Sequence, residues 1–241
     1  MFPLNSKELI RRKALRILIL GDVDTGKTTF SLYLTQKLLE RKKKACLFCT
    51  DVGQSLVGPP SCIAYKILKK PFKKVPVHLK EERMEFVGSF SPASVLLPFL
   101  VNIKILLEEI EDKVDTIVMN TTGYVKTKEA IFLEIEKIRL TKPNVIFAFQ
   151  REKELEPILE NFYSYPYLKI YHLRPPLSVR KRPFKERVEY RENILKKFFR
   201  NSFLHQVEMR ESNLKKRILV GLLDERQRTV SLGIIKKLKE R

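Results

Sequence analysis

Residues 21–30 read GDVDTGKTTF; they follow an apolar run, ALRILIL (14–20), and open a stretch with helical spacing. Gly21 to Thr28 satisfies G-x-x-x-x-G-K-[ST] after a strand and before a helix, the setting that motif requires. Its glycines let the backbone bend so that consecutive N–H groups face a β-phosphate at a helix N-terminus. Lys27 then bridges the β- and γ-phosphates, the Thr28 hydroxyl takes one Mg²⁺ position, and Thr29 reaches the α-phosphate. Gly21, Asp24, Thr25, Gly26, Lys27, Thr28 and Thr29 are therefore the first nucleotide-binding candidates, with ATP or GTP as the ligand.

Working outward from that loop, strand-like and helical segments alternate. The pattern predicts strands near 14–20, 44–50, 84–88, 114–119, 144–149 and 168–173. Helices are expected near 27–42, 92–111, 127–140 and 152–162. Such alternation signals an α/β fold, here a P-loop NTPase core with a mainly parallel sheet flanked by helices. From Arg174 the chain turns basic and proline-rich, becoming helical towards 199. Three short apolar segments follow: FLHQVEMRES, RILVGLLDE and RTVSLGIIKKL. The expected layout is a nucleotide-binding core over 1–173, a basic segment over 174–200, and a small β-rich C-terminal extension over 201–241.

The net charge of +20 is uneven. Residues 174–241 hold 20 Lys and Arg against 8 Asp and Glu, a net +12 from 68 residues. Such a field favours polyanions, nucleic acid first among them, although a lysine-rich surface also serves solubility. No apolar run is long enough to span a bilayer, and the first dozen residues do not resemble a secretory signal. A cytoplasmic protein without a membrane partner is expected, or a nuclear one if the source is eukaryotic. Cys46 and Cys49 lie three apart in a strand-like segment, which puts them on opposite faces. With Cys62 they read as core packing rather than as a disulfide framework or a zinc site.

Two further motifs sit directly after expected strands. In TDVGQSLVGPP (50–60), Asp51 occupies a carboxyl strand end, where α/β sheets hold ligands. A carboxylate there organises the Mg²⁺ water shell or accepts a proton from an attacking hydroxyl, and Gln54 is close enough to orient an oxygen. In NTTGYV (120–125), small residues let backbone approach a ligand, and Tyr124 adds a stacking face. The N-K-x-D signature of guanine-specific switches does not follow the later strand VIFAF.

Taken together, GDVDTGKTTF, DVGQSLVGPP, NTTGYV and the basic segment with Arg182, Arg187 and Arg191 resemble one family in order and spacing, across roughly residues 14 to 200. It is the P-loop polynucleotide 5′-hydroxyl kinases of RNA processing, which act in tRNA splicing, mRNA 3′-end formation and pre-rRNA maturation. The resemblance implies transfer of the γ-phosphate of ATP to the 5′-hydroxyl of an RNA or DNA strand. It implies that Lys27 and Thr28 hold the triphosphate and Mg²⁺, and that Asp51 activates the hydroxyl and joins Thr28 at the metal, with Gln54 beside it. Thr122, Gly123 and Tyr124 match the family's clasp near the phosphates. Arg182 and Arg187 match paired arginines of a catalytic lid, with Arg191 following in register towards the nucleotide. Tyr124 stands where eukaryotic members often have tryptophan. About 13 residues precede the first expected strand, whereas some eukaryotic relatives use an N-terminal part to hold adenine.

The leading expectation is thus an ATP- and Mg²⁺-dependent polynucleotide 5′-hydroxyl kinase, with Lys27, Asp51, Gln54, Arg182 and Arg187 catalytic. The alternative is a nucleotide-bound scaffold of an RNA-processing complex with little or no kinase activity. A small-molecule kinase or ligase is the third reading. RNA-versus-DNA preference, strandedness, ATP-versus-GTP selectivity, oligomeric state and protein partners stay open. His78, His172 and His205 stand apart from the motifs and receive no role.

Overall fold

The computed structural model describes residues 14–206 and 217–236. The strands are β1 (Leu15–Gly21), β2 (Ala45–Cys49), β3 (Cys62–Leu68), β4 (Arg83–Phe86), β5 (Thr116–Asn120), β6 (Val145–Phe149), β7 (Lys169–Leu173), β8 (Leu219–Leu223) and β9 (Thr229–Ile234). The helices are α1 (Lys27–Glu40), α2 (Leu96–Ile110), α3 (Lys128–Thr141), α4 (Glu156–Leu159) and α5 (Phe184–Phe198). Seven strands form one sheet in the order β4-β3-β2-β5-β1-β6-β7. Pairing is parallel from β2 through β7, while β3 and β4 add antiparallel strands beyond β2. The expected α/β architecture with a mainly parallel sheet is what forms.

The central strands carry apolar residues on both faces because helices cover both, as parallel strands require. On one face α2 buries Phe99, Ile103, Leu106, Leu107 and Ile110, a stripe at helical spacing, against Ile117 and Met119 of β5. Full burial of each such side chain contributes about 1.5–3 kcal/mol. On the other face Leu32 of α1 packs with Ile19, Leu47 and Val118, joined by Phe198 and Phe199 at the end of α5. Cys46 belongs to the first layer and Cys49 to the second. All three cysteines are buried and free, and burial raises each thiol's pKa, so packing is their role here.

Three local departures from expectation have physical causes. The segment 62–68 is a strand, β3, that the sequence pattern did not mark. The expected helix over 92–111 begins with a separate 3₁₀ turn at Pro92–Ser94, because Val95 at φ −144° interrupts it. The helix expected over 152–162 shrinks to the single turn α4. There the Glu154 carboxylate accepts from Arg151 N and Glu152 N, and Gln150 Oε1 accepts from Leu155 N, which ties that backbone into a loop instead.

The β8–β9 hairpin is antiparallel and docks on the β4 edge. Thr229 donates to Glu85 Oε2 through both N (3.0 Å) and Oγ1 (2.9 Å), and Arg83 Nη1 donates to Thr229 O (2.9 Å). Gly221 lies against the Phe86 ring, where a Cβ would come within 2.9 Å. Most of the apolar segment 203–212 lies outside the described residues. Among the described residues, no helix is long and apolar enough to cross a membrane.

Candidate functional site

Three loops meet at the carboxyl ends of neighbouring strands: 22–26 after β1, 50–58 after β2 and 121–127 after β5. β5 lies between β1 and β2, so the first two loops are separated by about 10 Å at ~4.8 Å per strand. This edge is where open α/β sheets hold ligands.

The loop after β1 has the backbone form that the sequence expectation of a phosphate cradle requires. Gly26 caps α1 in the left-handed region at φ 90°, a backbone that side chains rarely adopt, so the α1 amides can open towards a ligand. Lys27 is buried, and its Nζ donates to Asp22 O at 2.7 Å, folding the side chain back across the loop. Burial pulls its pKa down to about 8, against the opposing pull of the Asp51, Asp22 and Glu134 carboxylates. Thr25 Oγ1 also donates to Asp22 O, at 2.9 Å. Thr28 is half-buried and Thr29 exposed, both on the first turn of α1.

Asp51 stands just beyond β2. Its Oδ1 accepts from Gly53 N (3.0 Å) and Gln54 N (2.9 Å), which fixes the carboxylate's direction. Gln54 Nε2 donates to Gly53 O and to Arg187 O (3.2 Å), while its Oε1 is buried without a partner. The Asp51 turn and the basic segment are therefore in direct contact.

The basic segment touches the phosphate cradle as well. Arg182 donates to Asp24 twice, from Nε to Oδ1 (2.8 Å) and from N to Oδ2 (2.9 Å). Burial pushes the Asp24 pKa up, but those two bonds and the charges of Arg182 and Arg187 together hold it below its ordinary value. Arg187 Nη2 donates to Arg182 O, and its Nε is buried without a partner. Arg191 sits apart, its guanidinium 5.4 Å from the centroid of the Phe90 ring.

In the loop after β5, Gly123 packs on Val23 so closely that a Cβ would fall 2.5 Å from Val23 N. Thr122 is buried, and Tyr124 leans on the α2–α3 layer with its hydroxyl accepting from Thr127 Oγ1 at 2.9 Å. Of the candidates, the P-loop residues, Asp51, Gln54, Arg182, Arg187 and Gly123 thus converge, whereas Arg191 and the Tyr124 hydroxyl engage other partners. An open cleft lined by Gln150–Glu154 and His172–Arg174 lies on the far side of the P-loop from Asp51. Among the described residues, no group of three His, Cys, Asp or Glu is arranged to hold a metal alone.

Residues 21–201 match the family described as mRNA cleavage and polyadenylation factor CLP1, P-loop. The chain belongs to that CLP1 P-loop family. It is 31% identical over 196 residues to a polyribonucleotide 5′-hydroxyl-kinase of Methanocaldococcus jannaschii, covering 81% of this chain and 53% of that relative. A polyribonucleotide 5′-hydroxyl-kinase of Pyrococcus abyssi is 32% identical over 193 residues, covering 79% and 52%. The chain thus spans about half the length of these relatives. In fold it is similar to the solved structure of a wild-type Clp1p–Pcf11p complex, with TM-score 0.68, 11% identity, and coverage of 97% of this chain and 70% of that one.

In this CLP1 P-loop member Asn120 joins the site although no sequence motif singles it out. It ends β5, between the P-loop strand and the Asp51 strand, paired in register with Ile19 and Cys49. Alternation along β5 puts it with Val118 on the face that α1 covers. It is 1% exposed, and both Oδ1 and Nδ2 lack partners. Leaving such groups unpaired costs about 1–3 kcal/mol each. The only sequence signal was an asparagine closing an otherwise apolar strand, TIVMN.

Proposed function

We propose that the chain carries an ATP- and Mg²⁺-dependent polynucleotide 5′-hydroxyl kinase site, acting on RNA or DNA with a free 5′-hydroxyl. The observation that carries this reading is the basic segment bridging two loops at once: Arg182 on Asp24 of the P-loop, and Gln54 of the Asp51 turn on Arg187. A donor-phosphate cradle, a carboxylate about two strands away, and arginines that join them are the parts a phosphoryl transfer needs. The names of the archaeal relatives agree with it.

The residues present fit the ligands. Gly26 leaves its Cβ side nearly open, Gly123 braces the P-loop at Val23, Lys27 brings a cation into the cradle, and Asn120, Gln54 and Arg187 offer unpaired polar atoms around it. When bound, Mg²⁺ supplies charge neutralisation for the polyphosphate, with the Thr28 hydroxyl and Asp51 as its protein partners. Lys27 leaves Asp22 O and turns to the phosphates. Asp51, its Oδ1 already engaged by two amides, takes the proton of the attacking 5′-hydroxyl on its other oxygen. The bond from that hydroxyl oxygen to the γ-phosphorus forms as the bond to the β-phosphate oxygen breaks. Arg187 and Arg182 stabilise the equatorial oxygens and, as a lid, exclude water that would otherwise hydrolyse ATP.

The test is transfer of label from γ-labelled ATP to matched 5′-hydroxyl RNA and DNA oligonucleotides, with Lys27→Ala and Asp51→Asn as controls. Product that vanishes in Lys27→Ala, and in Asp51→Asn without more than a few-fold loss of ATP affinity, is the expected result. Tight ATP binding with no product on either strand overturns the kinase reading in favour of a nucleotide-bound scaffold.

A further inference from the structure

No Asp or Glu occurs between Asp51 and Glu81, whereas Lys66, Lys69, Lys70, Lys73, Lys74 and Lys80 fall within the last fifteen residues of that interval. All but Lys66 are exposed, as are Val75 and Val77 between them. The β3–β4 connection that carries them is not a loose loop. Phe72 N donates to Gln36 Oε1 of α1 at 2.7 Å, and the Phe72 ring packs in the α1-side apolar layer. Leu79 N donates to Leu56 O (2.9 Å), Gly58 N donates to Leu79 O (3.0 Å), and His78 Nε2 meets Gly58 O at 2.8 Å. These bonds tie the lysine-rich connection to the very segment that follows Asp51.

Helix α5 runs along that same segment. Its Arg187 O accepts from Gln54, its Tyr190 hydroxyl donates to Ser55 O at 2.9 Å, and the charge of Lys197 is felt at His78. Lys196 and Lys197 are exposed in its last turn, and beyond its end come exposed Arg200 and then Phe203, with most of its surface in water. Carboxylates are few here: Glu192 pairs with Lys196, Glu82 accepts from Ile67 N, and Glu81 lies near His78.

The strand order gives this basic surface a direction. The P-loop lies over β1 and Asp51 over β2, with β3 beyond. A phosphoryl group travelling in line from cradle to carboxylate leaves the acceptor on the β2 side. β3 runs antiparallel to β2, so Leu68 lies level with Ala45, and the connection climbs back from there to Leu56–Gly58 at Leu79. An acceptor leaving on the β2 side therefore meets the 56–58 segment first and reaches the lysines further down the connection.

We infer that Lys69, Lys70, Lys73, Lys74 and Lys80, with Lys196, Lys197 and Arg200, form a track for the backbone of a single-stranded polynucleotide downstream of its 5′ end. This rests on the kinase reading above for its direction. Phosphates along the strand meet the ammonium and guanidinium groups, and exposed Phe203 offers a stacking face beyond them. The contacts are to backbone, so the track tolerates sequence and makes affinity grow with acceptor length.

The experiment compares the unsubstituted chain with Lys73→Gln/Lys74→Gln and with Lys196→Gln/Lys197→Gln. Binding of a fluorescent single-stranded 5′-hydroxyl RNA of about 12 nucleotides is followed by anisotropy without ATP across a salt series. KM for the same RNA and for a dinucleotide acceptor is then measured with saturating ATP. Each double substitution is expected to weaken binding of the longer RNA about tenfold and to flatten the log–log salt slope by roughly 1.4, at ~0.7 per lost phosphate contact. KM for the longer RNA should rise about tenfold more than KM for the dinucleotide. Transfer with unchanged affinity, slope and KM ratio in both variants overturns the track. Lysine-dependent RNA binding without transfer to any acceptor upholds the track and overturns the kinase reading instead.

Discussion

Asp24 of the P-loop and Arg182 of the basic segment are joined by two hydrogen bonds, although 158 residues separate them in the chain. One carboxylate thus anchors the segment that carries Arg187 directly over the phosphate cradle. Val179 lies beside it, within 3.7 Å of where a Cβ on Gly26 would stand. Asp24→Ala removes the anchor without touching the apolar layers. Amide exchange over 177–187 should quicken by about tenfold, a local loss of about 1.4 kcal/mol. Global stability should shift by no more than about 1 kcal/mol, because the Arg182 side chain is 40% exposed. The folded pKa of Asp24 is depressed, so the contact's contribution is complete above the unfolded value of about 3.9 and is lost as pH falls through the lower folded value. Protection over 177–187, corrected for the intrinsic exchange rate at each pH, should therefore stay flat from about pH 8 to 5 and fall only in stronger acid. Equal exchange in Asp24→Ala and the unsubstituted chain would mean that the anchor lies elsewhere.

Lys27 couples ligand binding to stability in the opposite sense. Its pKa falls to about 8 in the folded chain, below the unfolded value. Between those values the unfolded chain binds the extra proton, so this lysine opposes folding at neutral pH by roughly 3 kcal/mol, and the penalty fades as pH rises through that window. Lys27→Met is expected to raise the Tm of the ligand-free protein at pH 7, with a gain that shrinks towards pH 10. On the kinase reading, ATP with Mg²⁺ should raise the Tm of the unsubstituted chain, and the same variant should lose that increase. A lower ligand-free Tm at pH 7 would show that the Asp22 O bond outweighs the burial penalty.

Gly123 places backbone where no side chain fits. A Cβ there would lie 2.5 Å from both Val23 N and Val23 Cγ1, and Val23 belongs to the phosphate loop itself. Gly123→Ala must push the loop after β5 away from the P-loop, at a cost of about 1–3 kcal/mol typical of overpacking. Calorimetry should show nucleotide affinity falling more than the Tm predicts, since the strain falls on the cradle. Unaltered affinity with a lowered Tm would make the contact a packing feature only.

The sequence declared those parts of the site whose chemistry is local. Gly21–Thr28 and Asp51 lie next to strong strand patterns, so both motif and place were readable. β3 escaped because CIAYKIL is short, carries Lys66, and runs into KKPFKK, which masks its apolar pattern; it gains its order from pairing with β2 and β4. The helix expected over 152–162 failed because side chains of Gln150 and Glu154 captured the amides a helix would have used. Arg182 and Arg191 look alike in a basic stretch, and only the turn of α5 separates them, one onto Asp24 and the other onto Phe90. Asn120 could not be singled out, because its importance lies in what its amide fails to contact.

Asn120 yields the sharpest contrast between stability and ligand binding. An amide with both polar atoms buried and unpaired destabilises the ligand-free fold, and a leucine of similar size would fill the same space without that cost. Asn120→Leu is therefore expected to raise the Tm of the ligand-free chain by the equivalent of about 1 kcal/mol or more. Asn120 ends the strand between those that lead into the P-loop and into Asp51, so on the kinase reading proposed above its amide would face the water shell of a phosphate-bound cation. ATP affinity measured calorimetrically with Mg²⁺ should then fall by about tenfold, while affinity in EDTA changes little. Asn120→Asp should keep the Mg²⁺ dependence, since a carboxylate can still accept from metal-bound water. If Asn120→Leu lowers Tm and leaves the Mg²⁺ dependence intact, the amide is an ordinary part of the core, satisfied by solvent rather than by ligand.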